Sequence, residues 1–350
     1  MATKSGFDLV LAAESLRHDA GTLAGILETT HDGEDSAAHL LRRRIVQTAK
    51  MIAFETAPKV DVVKEDWIVL GNVAAWNIFI DWKAFDHIPV DGYIYISELA
   101  RVLNAQESLV ARISAQLFAT GKLLPGPYPN TLSHSRISPL YISTHPVSDA
   151  CTVAVGNAMK PFAHWPEYFR AYGRREPVGP AHTPFSFAWG HAALPPWEVK
   201  ALHPAYASAF MRTMRARQIA GGDMVVAGKR ALCDLGWVER RANLESGAAV
   251  YLLRRILCDY SDELAIGILS RLAEALPDHK PRVRVIIMEE RLLEVPTPEN
   301  CIVDMVMANL GGKLRNEATY REIAAAAGLR VVGYHVQEGQ PLCAVECAKI

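Results

Sequence analysis

The stretch Ala249-Val250-Tyr251-Leu252-Leu253-Arg254-Arg255-Ile256-Leu257-Cys258-Asp259-Tyr260-Ser261-Asp262-Glu263 decides the fold. Val250 to Leu253 is a short apolar run and reads as a strand. From there strand and helix alternate. Ala265 to Ala275 has helical periodicity and stops before Pro277, Val283 to Glu289 is a strand, and Ile302 to Met307 and Ala318 to Ala327 are helices. Leu329 to Tyr334 and Leu342 to Cys347 look like a closing antiparallel pair. This order is the second half of a doubly wound α/β sheet. Its opening is missing. Ala231 to Arg241 holds no glycine cluster, and the nearest, Gly221-Gly222-Asp223, lacks a third glycine and an apolar strand before it. A nucleotide-type cofactor is held by the backbone N–H groups of a glycine turn.

Upstream, the pattern is helical. Phe7 to Glu28 is amphipathic. His31 to Ser36 supplies the N-cap of a second helix that runs to about Glu55 and ends at Pro58. Trp67 to His87 is apolar on most sides, as in a helix buried in a core or a dimer interface. A helix from Ile96, with Ser97 as N-cap, a turn, a helix from Gln106 to Ile113 and a hairpin at Leu123 to Ser133 make a winged-helix module. Its second helix carries Glu107 and Arg112 and little other charge, so it reads as scaffold and not as a DNA reader. Residues 145–219 form a helical connector rich in aromatics and methionine. Phe185, Phe187 and Trp189 alternate there with small residues, which would place them on one side of an extended segment.

Composition narrows the partners. The chain has 350 residues, 50% hydrophobic and 21% charged, with a formal net charge of −1. That excludes a whole-chain electrostatic footprint for nucleic acid or an anionic membrane. No apolar run is long enough to span a bilayer and no signal peptide pattern opens the chain, so a cytoplasmic protein is expected. The six cysteines form no CxxC pair and read as reduced thiols, with Cys343 and Cys347 on one face of a strand. No metal-ligand spacing is present.

Four segments together resemble the O-methyltransferases of plant caffeate type and of fungal secondary metabolism. They are Phe85-Asp86-His87-Ile88-Pro89, the Leu253–Glu263 block, Asp304-Met305-Val306-Met307 and Ala327-Gly328-Leu329-Arg330-Val331-Val332. The resemblance covers most of the chain from about Trp67. It implies α/β architecture with an all-α N-terminal part: a winged-helix dimerisation domain (residues 1–150), a helical connector lining the pocket (151–222), and a truncated Rossmann-like methyltransferase domain (223–350). It also implies a homodimer, since the long apolar helices would be poorly covered in a monomer.

Three departures from the family pattern bear on activity. The glycine loop and roughly two strand–helix units are absent. The family's general-base histidine is replaced by Cys258, whose thiol at a usual pKa of about 8.5 is mostly protonated at neutral pH. The glutamate that orients the histidine is replaced by Leu314. These losses predict no cofactor, with S-adenosylmethionine not bound, and an enzyme that cyclises a polyketide or polyketide–peptide intermediate, as methyltransferase-like pericyclases do. Two alternatives stay open: a methyltransferase-like co-regulator, and a genuine methyltransferase with an atypical site or a skipped exon. The candidate catalytic residues are Lys313, Cys258, Asp259 and Glu289. The candidate substrate wall is Phe187, Trp189, His191, Phe210, Met211 and Met307, facing a small molecule.

Overall fold

A computed structural model describes residues 7–29, 36–220, 250–276, 283–336 and 341–350. The chain divides into two compact units, Met1–Ile78 with Ser108–Lys122, and Phe79–Glu107 with Leu123–Ile350. The first unit is helical. It contains α1 (Leu9–Thr29), α2 (Ser36–Thr56), most of α3 (Lys59–Asp81), and nearly all of α5 (Glu107–Ala119), which follows α4 (Ile96–Val102) along the chain. Asp8 caps α1 by accepting from the N–H groups of Val10 and Leu11. Asp19, 2% exposed, is bound by Arg44 of α2. That hydrogen bond holds the Asp19 carboxyl below its usual range. Arg44 belongs to the one basic run of the sequence, so one of its members ties two helices together.

Of the two alternatives for the apolar helix, burial in the chain's own core covers only the C-terminal end of α3, at Ala75 and Phe79. Trp67 is 71% exposed, and Ile68, Val69 and Leu70 are exposed as well. Helix α3 also begins eight residues earlier than its apolar run, at Lys59. Residues 31–35 of the expected capping loop lie outside the described residues.

In the second unit, β1 (Ile94–Tyr95), β2 (Leu123–Pro125) and β3 (Thr131–His134) form an antiparallel sheet in the order β1-β3-β2. The hairpin read from the sequence is therefore present. Ser97 is not an N-cap: α4 begins at Ile96 with Tyr95 in the cap position and no side-chain cap.

The connector is a series of short helices: α6 (Pro146–Ala154), α7 (Lys160–Ala163), α8 (Trp165–Tyr172), α9 (Pro184–Ala188), α10 (Pro196–Ala201) and α11 (Pro204–Ala220). A π-helical turn, Val155–Met159, joins α6 to α7. Pro146, Pro184, Pro196 and Pro204 each open a helix, where a missing N–H costs nothing. This corrects the reading of Phe185, Phe187 and Trp189 as one extended segment. Pro184 and the Thr183 side chain, which accepts from Ser186 N–H, start a helix there instead.

The α/β part follows the expected order: β4 (Val250–Arg254), α12 (Asp262–Ala275), β5 (Arg284–Glu290), α13 (Pro298–Leu310), α14 (Glu317–Ala326), β6 (Leu329–Val336) and β7 (Leu342–Lys349). The sheet order is β4-β5-β7-β6, with β4 parallel to β5 and the other pairs antiparallel. Val285, Ile287, Val345 and Cys347 bury one face against Leu269 and Leu272 of α12 and Ile323 of α14. Cys343 and Cys347 share that buried face, as their spacing predicts. Among the described residues, the outer edge of β4 pairs with no strand. The glycines at 221–222 and the segment 231–241 lie outside the described residues.

Candidate functional site

The functional edge of the sheet lies beyond the C-terminal end of β4, where ligands bind in parallel α/β sheets. Arg255, at φ 53°, turns the chain out of the strand, and Leu257–Asp259 form a single 3₁₀ turn. Two buried charged residues hold this loop. Glu289 continues the inward side of β5 after Val285 and Ile287 and is 0% exposed. One carboxylate oxygen accepts from the N–H groups of Ile256, Leu257 and Cys258, and the other from the Tyr320 hydroxyl at 2.9 Å. From the opposite side, Arg315 (1% exposed) donates to the carbonyls of Leu257 and Tyr260 at 2.8 and 2.7 Å, and to Asp262 at 2.8 Å.

The segment after α13 closes over the same loop. Gly311, at φ 88°, ends α13 in a Schellman turn, with Gly311 N–H bonded to the Ala308 carbonyl and Gly312 N–H to that of Met307. Lys313 N–H then donates to the Cys258 carbonyl at 3.0 Å. A Cβ on Gly312 would run into that carbonyl and the backbone of Asp259 and Tyr260.

The loop thus presents Cys258, Asp259 and Tyr260 at a fixed geometry. Cys258 is buried, and burial, then the charges of Asp259 and Glu289, push its thiol well above the usual range. Burial raises the Asp259 carboxyl to about 6, against the pull of Lys200. Lys200, from α10, is lowered by burial to about 8, against the pull of Asp259. Its ammonium lies 4.0 Å from the Phe210 ring centre and 5.2 Å from that of Phe185. Trp197, three residues earlier on α10, packs its ring 5.8 Å from that of Tyr260. Nearby, Lys160 sits 3.8 Å over Trp189, whose indole N–H donates to the Gly156 carbonyl. The result is an aromatic cluster around a cation and a carboxylate of mutually opposed pKa shifts, both brought toward neutral pH.

Of the candidates read from the sequence, Cys258 and Asp259 lie together on the loop, and Phe210 and Trp189 lie in the aromatic cluster. Met307 packs against the buried cluster of Phe185, Val199, Tyr206 and Leu310. Lys313 lies two residues past the Schellman glycine and is ion-paired, at 2.8 Å to Glu176 and 3.3 Å to Asp262. Three expectations are corrected. Glu289 faces the core as the anchor of the loop, with both carboxylate oxygens occupied. Phe187 packs on Tyr168 and Tyr172. Met211 is 65% exposed, which removes it from a pocket wall. His191 stands behind the aromatic cluster, 6.0 Å from His203. Sequence reading missed Lys200, Lys160 and Arg315. For Lys200 a signal existed: it follows Trp197 by three residues on a proline-started helix, hence on the same face. Among the described residues no cluster of metal-ligating side chains occurs, and no helix is long and apolar enough to cross a membrane.

Residues 240–330 match the O-methyltransferase domain family. The chain is 27% identical to methyltransferase cfoD of Aspergillus candidus, over 96% of this chain and 97% of that protein. It is 27% identical to methyltransferase pynC of Aspergillus niger, over 75% of this chain and 90% of that protein. Its fold is similar to that of OxaC solved with S-adenosylhomocysteine and oxaline (TM-score 0.77, 14% identity, 98% of this chain and 100% of that one). It is similar also to a structure described as a pericyclic reaction enzyme (TM-score 0.72, 15% identity, 97% and 100%). LepI in complex with S-adenosylmethionine is a further neighbour (TM-score 0.71, 15% identity, 97% and 99%). Residues 240–330 thus carry the match to an O-methyltransferase domain, and over most of its length the chain is similar to fungal methyltransferases.

These relatives overturn the expectation that no cofactor is involved. The curated proteins are named methyltransferases, and the solved neighbours hold S-adenosylmethionine or its demethylated product. The alignment with cfoD spans 404 positions, whereas 96% of 350 residues is about 336, so about 68 positions fall opposite gaps in this chain. That is the size of about two strand–helix units.

Two stability effects follow from the loop's anchoring. Arg315→Leu removes the donor to the buried Tyr260 carbonyl and one donor each from the Leu257 carbonyl and Asp262, and is expected to cost about 2–4 kcal/mol in urea unfolding. Gly312→Ala is expected to cost about 1–3 kcal/mol by overpacking against the loop, whereas Gly267→Ala, with open space around it, should cost nothing.

Proposed function

We propose that the protein is an enzyme of secondary metabolism that dehydrates and cyclises a polyketide or polyketide–peptide intermediate by acid–base catalysis, and that it has lost methyl transfer. Cys258 carries this reading. It stands where the resemblance implies the general base, and its thiol is buried and pushed up. Leu314, 4% exposed, stands where the base's orienting carboxylate would be. Lys200 and Asp259 take over proton handling. The Lys200 ammonium donates to a leaving hydroxyl, which departs as water. The Asp259 carboxylate removes a proton from the neighbouring carbon, and the C–H electron pair becomes the new double bond. Proton return from Asp259 to Lys200 resets the pair. The aromatic cluster then holds the unsaturated chain in a reactive conformer.

The comparisons point to an S-adenosylmethionine-type ligand, and part of the site fits one. Phe185, Phe210 and Asp259 already surround one cation, the Lys200 ammonium, so rings and carboxylate suit a sulfonium. No described residue forms the glycine turn for the other end of such a ligand. When bound, the group would supply positive charge beside the substrate and a transferable methyl. A second reading, methyl transfer with Asp259 as base, is favoured by the names of the relatives.

Incubation with S-adenosylmethionine and a hydroxylated polyketide or polyketide–peptide, followed by mass spectrometry, separates the two. The proposed reaction gives a dehydrated product and no S-adenosylhomocysteine, and stoichiometric S-adenosylhomocysteine would sink it. The rate should be bell-shaped in pH. It falls below about 6 as Asp259 protonates and above about 8 as Lys200 loses its proton. Asp259→Asn and Lys200→Gln should each lower kcat by about a hundredfold or more with unchanged melting temperature.

We further propose a homodimer in which a second copy covers the exposed apolar side chains of the N-terminal helices, among them Val10, Leu11, Phe54, Trp67 and Leu70. Light scattering should give twice the chain mass, and Trp67→Glu with Leu70→Glu should give a monomer.

A further inference from the structure

A cavity of about 550 Å³ opens beside α8, with Trp165, Phe169, Pro184 and Ala308 as its apolar lining and Arg174 and Arg175 at its rim. The volume is that of a site for a small organic molecule. The floor is preformed. The Trp165 indole N–H donates to Asn309 Oδ1 at 2.7 Å, and fully buried Asn309 donates in turn to the Asn157 carbonyl at 2.9 Å. Phe169 packs edge-on to Trp165 at 5.5 Å.

The charge at the rim is one-sided. Among the described residues neither Arg174 nor Arg175 makes a side-chain hydrogen bond or ion pair. The adjacent carboxylate, Glu176, is bound by Lys313 at 2.8 Å. Two guanidinium groups without acid partners beside a rigid aromatic floor match a planar apolar body ending in an anion. Glu176 and Pro177 also line a smaller hollow with Ser261, Asp262 and Lys313, so the cavity continues toward the loop after β4.

We propose that this cavity binds an anionic metabolite, with its aromatic or polyene body on Trp165 and Phe169 and its carboxylate or acidic enolate on Arg174 and Arg175. Naming that ligand as the substrate rests on the function proposed above, whereas the binding does not. Titration calorimetry on the full chain at low salt, with 2-naphthoate and its neutral isostere 2-naphthamide as probes, tests it. Naphthoate should bind about five- to tenfold more tightly than naphthamide, and added salt should erase the difference. The Arg174→Gln, Arg175→Gln double variant should bring naphthoate to the level of naphthamide and leave naphthamide unchanged. Ala308→Trp, which fills the cavity, should abolish both. Equal binding of the two probes, unchanged naphthoate binding in the double variant, or no saturable binding of either would overturn the proposal. Binding as described with no turnover of any anionic polyketide would uphold the cavity and count against the catalysis.

Discussion

The buried carboxylate of Glu289 is the constraint on which the working edge of this protein depends. A single acceptor group gathers three successive backbone N–H groups, and so bends the chain after β4 into one turn. Arg315 holds the carbonyl side of the same turn, so donors and acceptors of the loop are both satisfied inside the protein. Burying two opposite charges this way is costly unless nearly every lone pair and proton is used. Here the Tyr320 hydroxyl and the Asp262 carboxylate complete the set. The return is a loop whose side chains are fixed in direction before any ligand arrives.

That rigidity explains how ordinary residue types acquire unusual proton affinities. Asp259 and Lys200 come from elements far apart in the chain, one on the sheet edge and one on a connector helix. Each is pushed toward neutrality by burial and pulled back by the other. The rings of Phe185 and Phe210 offset part of the lost hydration of the ammonium. At Cys258, one residue away, burial and the charges of Asp259 and Glu289 outweigh Arg255 and Arg315, and the thiol is pushed well above its usual range. Burial thus raises both neighbouring groups on the turn, and only the carboxyl, with its lower starting value, is brought near neutral pH.

The α/β half was legible in the sequence because its strands and helices obey simple periods and end at Pro277 and Gly328. The alternation of Val285, Ile287 and Glu289 also contained the inward direction of Glu289, since a period of two carries it to the core face. Reading it as a strand end overlooked that parity. The connector was less legible. Phe185, Phe187 and Trp189 alternate as in a strand, yet Thr183 and Pro184 impose a helix. Arg315 was invisible as a site residue because its importance lies in contacts 58 positions away, at Leu257, and Lys200 was marked only by its place one turn after Trp197, since its partner Asp259 lies 59 positions further on. The absence of a glycine cluster between Ala231 and Arg241 was legible as well, but the conclusion of no cofactor drawn from it went too far, because similar structures hold the cofactor.

Among the described residues, the hydrogen bonds that tie the loop after β4 to the rest of the protein come from residues that follow it, among them Glu289, Lys313 and Arg315. Nothing before Val250 contributes a hydrogen bond to it among the described residues. The edge that meets the ligand is therefore mechanically self-supporting. An ancestor could shed upstream strand–helix units without collapsing that edge, which gives evolution room to trim one half of a nucleotide-binding domain while retaining the other as a working surface.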